Sequence, residues 1–583
     1  MGLAKFTTLK LTLPKQKQGE HLLVETRVEA IDKWLKSLPY GNMKITLPAL
    51  KKSISGFNRT DVNLATRQNA MELFKNSYQL VAEFYRPQSY SIDKRQSKIS
   101  RAEKRDFFLL SQEMAYGYKL LASELSRSKG PNEDLANILN LTLYYLSIVL
   151  MHHYDVYAPA PKNIWREIHN ILGYSLNFDL IEMELPESQP TGCLLTIENT
   201  YLRIALLSLV NPYHLNQGQH WPIWRYLSSW VDSSELNEEL GDFTSDYTFV
   251  VDLKTDNHPV LKTFVSKDDE TDILLLMTNR LIFEVESQLE ALESDGTPPL
   301  PGFGPEINAT SAKRLLRAMR YHWQHFKKRI SPRLDATHNV QLINGIPDIY
   351  SELLKADPLA EHINIDENEQ FSSKWRAVNV SSTGLCLNTG GKASGSRIGQ
   401  LIAVCEDAPA MDRSHKEQKS WKLGITRWLK RSRREGVTIG IEIIAGEVQP
   451  VMIKILGEDQ RQELGFLVSG EEVEGQTTPT LIYAHGAIPS NQVVVMMIGE
   501  AQLAIKPNIK IVETLTFERV FYQTRELSEV YEIEDEQNEK IKKEEKMEAD
   551  GEHEIELVDL PGFTQVDNVT NLDLTIPEPP ETD

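Results

Sequence analysis

The chain has 583 residues, 41% of them hydrophobic and 25% charged, with a formal net charge of −20 at pH 7. This is enough apolar material for several cores, and the length is that of about three or four domains. Residues 531–583 hold 18 acidic and only 4 basic side chains, so the acidity belongs to a tail. Broad, nonspecific DNA or RNA binding is excluded, and room remains only for local basic patches.

Residues 1–23 read as a loose leader. Lys5, Lys10, Lys15 and Lys17 interrupt its short apolar runs, so no secretory signal is expected. From 24 to 295 the period is helical. Ile31, Trp34, Leu35 and Leu38 form an i, i+3, i+4, i+7 stripe that Pro39 closes. Similar stripes run through 63–85, 101–126, 133–153, 163–173, 199–210 and 272–293, whereas 243–265 alternates as a hairpin does. A helical scaffold in one or two bundles follows, with Trp221, Trp224, Tyr226 and Trp230 as an aromatic part of its core. Its most apolar stretches, Leu135–Met151 and Tyr201–Val210, carry Asn137, Asn140, Thr142 and Arg203. Both fall short of a clean run of about 20 apolar residues, so no membrane span is expected. The three cysteines, Cys193, Cys386 and Cys405, have no CxxC spacing. An odd, scattered set points to a reducing, cytoplasmic location.

Residues 296–310, dense in Gly and Pro, form a linker. A basic helix at 311–328 opens the next unit, after which the apolar period shortens to that of strands. Short β-branched runs at 338–343, 375–380, 384–388, 398–405, 421–429, 437–444 and 448–455 read as an antiparallel β-barrel, placing this unit at 311–455. Within it, 344–368 reads as an insertion with a helical stretch at 348–355. Further runs at 463–468, 479–484, 492–498, 501–505, 508–513 and 515–522 make an additional β unit at 456–525, separate from the barrel or extending it. The acidic tail, 526–583, has the composition of a disordered segment. The fold class is therefore multidomain α plus β.

Two short patterns lie where helix gives way to strand. Arg329-Ile-Ser-Pro-Arg333 is an RxxxR, and Asn379-Val-Ser381-Ser-Thr-Gly384 is an NxSxxG joining two strands as a turn. The first spacing carries little alone, since Arg427 and Arg431 repeat it inside a later strand. Two arginines also suit a helix C-terminus, and NxSxxG suits an ordinary hairpin. Arg427 and Lys430–Arg434 read as a solvated basic turn, with contact to ligand or partner as the alternative.

Taken in order on either side of the early strands, the patterns resemble the PilZ domain family, bacterial receptors for cyclic di-GMP. The resemblance covers about 325–455. It matches the family's RxxxR to Arg329 and Arg333, its [DN]xSxxG to Asn379, Ser381 and Gly384, and a late-strand glycine to Gly440. It implies cyclic di-GMP as the ligand of Arg329, Arg333, Asn379, Ser381 and Gly384, with Lys328, Arg427 and Gly440 as further contacts and no cofactor. Arg offers a planar, permanently charged fork that bonds a phosphate or a guanine edge bidentately. Pro332 restricts the chain between the two arginines. The insertion at 344–368 and the Gly- and Ser-rich loop 390–396 depart from the family's pattern. In the helical half, Trp34-Leu-Lys-Ser-Leu38-Pro39, Asn42, Asn58-Arg59 and Glu113-Met-Ala-Tyr-Gly117-Tyr118 are similar to helical regions preceding PilZ domains in some long gammaproteobacterial proteins.

Rival chemistries find no footing. Gly390-Gly-Lys392 has Cys386 where a phosphate loop needs its first glycine, and no Ser or Thr directly follows Lys392. His152 with His153, and His322 with His325, lack partners at metal-ligand spacing, so no metal is expected. No Ser-His-Asp set, GxSxG or catalytic carboxylate pair is present. The expectation is a binding module, not an enzyme: a cyclic di-GMP receptor or adaptor whose helical region contacts an unknown protein partner. The alternative is a scaffold protein whose barrel binds no ligand.

Overall fold

A computed structural model describes residues 6–17, 24–89, 99–128, 130–186, 190–237, 247–261, 272–294, 302–305, 307–324, 331–355, 372–390, 395–406, 420–455, 461–470, 472–473, 476–489 and 492–527. Beyond residue 527, the acidic tail lies outside this set.

The helical body contains α1 (Val28–Lys36), α2 (Met43–Asn58), α3 (Leu64–Ser89), α4 (Arg101–Ser128), α5 (Glu133–Asp155), α6 (Ile164–Asn177), α7 (Ile197–Leu209) and α8 (His220–Trp230). α5 starts where the Asn132 side chain accepts the Leu135 N–H, with Glu133 and Asp134 in its first turn. It is apolar on nearly every face because neighbours cover nearly every face. It is long and apolar enough to cross a membrane, yet 89% of its most apolar window is buried inside the protein. Pro48 inside α2 hid that helix from the periodicity reading. The residues singled out at Asn58, Arg59, Glu113 and Gly117 meet at one junction. Arg59 grips the Glu113 carboxylate with both guanidinium ends at 2.9 and 3.0 Å, and Asn58 Nδ2 donates to the Glu113 carbonyl at 2.8 Å.

The leader is not loose where it is described. The Thr12 N–H donates to Glu167 at 2.7 Å and the Lys10 N–H to Asn170 at 2.6 Å, while Phe6 packs over Gly173.

A four-stranded antiparallel sheet follows, in the order β1 (Glu235–Asn237), β4 (Ile273–Met277), β2 (Thr248–Asp252), β3 (Val260–Leu261). The stripe expected as helix from 272 therefore begins as strand. Helix resumes in α9 (Asn279–Ser294) and α10 (Ala309–Gln324). The sequence reading grouped α10 with the barrel. Instead Leu315, Leu316, Met319 and Trp323 pack into the helical core, and Trp323 Nε1 donates to the Leu206 carbonyl at 3.1 Å.

The first barrel is built from β6 (Asn339–Asn344), β7 (Ser373–Ser381), β8 (Gly384–Asn388), β9 (Leu401–Glu406), β10 (Lys422–Ser432) and β11 (Gly436–Ile443). The short β5 (Leu334–Asp335) is added on the edge of β7. Because β8 pairs with both β7 and β11, the ring closes. The second barrel comprises β12 (Val448–Ile455), β13 (Gln462–Val468), β16 (Thr480–Ala484), β17 (Val494–Ile498), β18 (Ala501–Glu513) and β19 (Phe517–Arg525). A small hairpin, β14 (Glu472–Val473) and β15 (Gln476–Thr477), is inserted after β13. Val448–Ile455, read as the last strand of the first barrel, belongs to the second, where it pairs with β13 and β17. The positive φ of Gly446, 114°, turns the chain from one barrel into the other.

When each barrel's strands are numbered from its own first, both rings run 1-2-3-6-5-4. The second barrel is thus a topological copy of the first. Between them lies α11 (Ile346–Lys355), the helical part of the expected insertion. Ile346 and Ile349 share one cluster with Leu401, Leu423 and Ile425 of the first barrel and Phe466, Ile482 and Phe517 of the second. On the second barrel these side chains point outward from its second, third and sixth strands.

Candidate functional site

Outward-facing side chains on the corresponding strands of the first barrel form a different surface. Leu387, Ile439 and Leu429 are buried in the barrel core, so their strand neighbours point out. The register then sets two rows side by side. One runs Asn379, Cys386, Gly440, Trp428; the next runs Arg376, Asn388, Thr438, Lys430.

Two β-bulges make this face. Trp375 and Ala377 point into the core, and simple alternation would send Asn379 after them. The register shift between Ala377 and Asn379 turns Asn379 outward. On β10, Leu423 and Ile425 face α11 while Leu429 faces the core, and the shift between Thr426 and Trp428 turns Trp428 outward. Gly440, between them, has no side chain, and the Trp428 indole lies over it, where a Cβ would collide. Cys386 is buried beside it, which pushes its thiol pKa up, and the positive charges of Arg333 and Lys430 oppose that rise.

The arginine segment is laid on this face. Ser382 Oγ donates to Ser331 Oγ at 2.9 Å, Leu334 pairs with Val380, and Asp335 pairs with Asn379. The Ala336 N–H donates to the Val378 carbonyl at 3.0 Å. Arg333 is exposed. Lys328 and Arg329 lie outside the described residues, as do His325 and Lys392. Ser381 Oγ turns back to the Gly384 carbonyl at 3.3 Å. Gly384 itself is a close-approach residue, since a Cβ would sit 2.5 Å from the Ile441 carbonyl oxygen.

Two of the further candidates look different in place. Arg427 is the bulge residue, and its guanidinium is paired with Glu442 at 2.8 Å. Gly440 serves the Trp428 indole. The turn read as solvated instead docks on the helical body. The Arg431 N–H donates to the Tyr157 carbonyl at 2.8 Å, and the Lys430 ammonium stands 4.7 Å from the Tyr213 ring centre. Tyr157, with a left-handed φ of 59°, puts its ring into the barrel core. Trp428, Lys430, Tyr157 and Tyr213 had no sequence signal as a group, because only the register and the domain contact bring them together.

Among the described residues, one His and Glu group gathers as metal ligands do: His485, Glu513 and Glu518 on the second barrel. Lys510 Nζ already lies 3.1 Å from Glu518 and 3.4 Å from Glu513. The ammonium supplies the positive charge an ion would bring, so this is an ion-pair network.

Residues 29–239 match a family model described as the N-terminal domain of the cyclic-di-GMP receptor FimW, and residues 354–450 match its middle PilZ domain. Asn379, Ser381, Gly384, Arg427 and Gly440 lie inside the second span, and Arg333 precedes it. The cyclic-di-GMP receptor FimW of Pseudomonas aeruginosa is 20% identical over 533 residues, covering 78% of this chain and 83% of its own. Among solved structures, the insecticidal delta-endotoxin Cry8Ea1 of Bacillus thuringiensis overlaps 86% of this chain and 74% of its own at 8% identity. Its TM-score of 0.13 carries no likeness of fold. With helices over the first span and a closed antiparallel barrel bearing the NxSxxG turn in the second, the chain belongs to the PilZ-domain family, in the form with a FimW-type helical domain ahead of the barrel.

Proposed function

We propose that this protein is a receptor for cyclic di-GMP, bound on the outer face of the first barrel. One observation carries the reading. The 331–335 segment is hydrogen-bonded to the NxSxxG strand and turn, so Arg333 and Asn379 belong to one surface. A cyclic dinucleotide presents two phosphate anions and guanine edges. Arg329 and Arg333 supply bidentate donors, and Asn379 and Ser381 supply short polar groups at the base edge. Gly384 keeps the seam beside them narrow. The family match and the relative's name support the same ligand.

The same placement suggests how binding is read out. α10 ends at Gln324 and β5 begins at Leu334, so the arginine segment is also the covalent joint between helical body and barrel. A ligand held by that joint favours one arrangement of the two parts and so changes what the helical body offers a protein partner. The protein acts as a receptor or adaptor in this reading, with recognition as its chemistry.

Each bidentate contact is worth about 1–3 kcal/mol, so Arg329→Ala or Arg333→Ala weakens binding about tenfold to a hundredfold. Calorimetric titration of cyclic di-GMP measures this directly. Absence of binding by the unmodified chain leaves the scaffold reading standing.

A further inference from the structure

Lys430 is the cation of the basic turn that stands on the ligand face, and the helical body holds it. We propose that the site is completed across two domains: Lys430 is a further phosphate-binding cation, and Tyr213 of the helical body is the positioning residue that keeps it there. This rests on the reading of the face as a cyclic di-GMP site.

The register places Lys430 opposite Thr438, one outward step along the strands from Trp428 and Gly440. Arg333 follows the Ser331 that bonds the NxSxxG turn, and Lys430 lies in the row beside Cys386 and Gly440, so both cations belong to this side of the barrel. Lysine side chains are among those with most rotamer freedom to lose, and here that freedom is curbed from two sides. The backbone beside Lys430 is fixed by the Arg431 N–H to Tyr157 bond at 2.8 Å. Its ammonium is drawn to the Tyr213 ring, 4.7 Å from the centre.

The ring is itself held. Tyr213 Oη donates to the Ala158 carbonyl at 3.0 Å, its edge meets Tyr154 at 5.9 Å between centres, and it packs against the cores of both helical body and barrel. An aromatic face engages one side of an ammonium and consumes none of its capacity to donate to an oxyanion on the other. Phosphate and Tyr213 therefore hold Lys430 together rather than in competition. By linkage, a ligand that Tyr213 helps to bind tightens the contact between barrel and helical body by the same factor.

The test titrates cyclic di-GMP into the full chain and its variants. Lys430→Ala binds about tenfold more weakly and Lys430→Arg keeps most of the affinity. Tyr213→Leu binds about three- to fivefold more weakly, while Tyr213→Phe, which keeps the ring face and loses the bond to the Ala158 carbonyl, loses less affinity than Tyr213→Leu. The double variant Lys430→Ala/Tyr213→Leu is no weaker than Lys430→Ala alone. If Arg333→Ala weakens binding but Lys430→Ala does not, the cyclic di-GMP reading stands and this inference falls. A gain in affinity in Tyr213→Leu, or losses that add in the double variant, also overturns it. No binding by the unmodified chain sinks both.

Discussion

Gly384→Ala tests whether the last residue of the NxSxxG turn serves the ligand or the barrel. Its Cβ would lie 2.5 Å from the Ile441 carbonyl oxygen, whereas carbon and oxygen settle at about 3.3 Å or more. The obstacle is backbone and cannot swing aside, so β11 must retreat by about 0.8 Å to restore that spacing. Gly384 pairs with Glu442 and Leu385 with Ile441 in the seam that closes the barrel, and the Ile441 side chain is part of the barrel core. Overpacking of this kind costs about 1–3 kcal/mol. For a unit of barrel size each kcal/mol moves the midpoint by about 4 °C, so the barrel transition should fall by about 4–12 °C. Differential scanning calorimetry of the full chain reads this, with cyclic di-GMP titrated well below the transition as the second measurement. An unchanged barrel transition combined with lost binding would refute the reasoning, because the glycine would then be admitting ligand rather than closing the seam.

Gly440→Ala meets a movable indole instead of backbone, so its expected mark is a changed Trp428 environment and weaker ligand binding with a smaller loss of stability, read by fluorescence and titration. Glu167→Ala leaves Lys119 buried without its carboxylate, 2.6 Å away in the folded chain. Such a loss costs about 3–5 kcal/mol and should speed hydrogen exchange at the Thr12 amide; unchanged exchange there would count against an anchored leader. Burial pushes His152 down to about 3 and His169 and His322 to about 4, from 6.5. The unfolded chain takes protons below pH 6.5 that these folded sites refuse, so their stability is full above that pH and is lost as pH falls toward 4. The loss is about 1.4 kcal/mol per histidine per pH unit at most, and urea unfolding of His152→Gln should show a flatter dependence than the unmodified chain. Ile349→Ala removes a fully buried contact from the cluster shared by both barrels. It should cost about 2–5 kcal/mol and lower both barrels' unfolding together.

Much of this architecture is written in local pattern. The helical stripes, the change of period after α10 and nearly every barrel strand follow from side chains alternating between core and solvent. The exceptions have physical causes. Pro48 obscured α2, and the β4 apolar run reads equally as strand or helix because all its faces are covered. α10 looked like part of the barrel unit by position in the chain, but its apolar stripe has its match in the helical core.

The two motifs opened the path to the site, and neither could reveal its floor. The sequence by itself determined that an RxxxR and an NxSxxG flank the early strands, and that a family of cyclic dinucleotide receptors shares them. Only the tertiary structure decided which side chains join them. A one-residue bulge reverses every later side chain on a strand, so Asn379 and Trp428 face outward because of shifts that no alternation pattern displays. Lys430 meets Tyr213, 217 positions earlier in the chain, a contact set by how helical body and barrel dock. The second barrel repeats the first in strand order, but its corresponding outer face is filled by α11 and the first barrel. Long-range packing, not local preference, chose which of the two faces stays open.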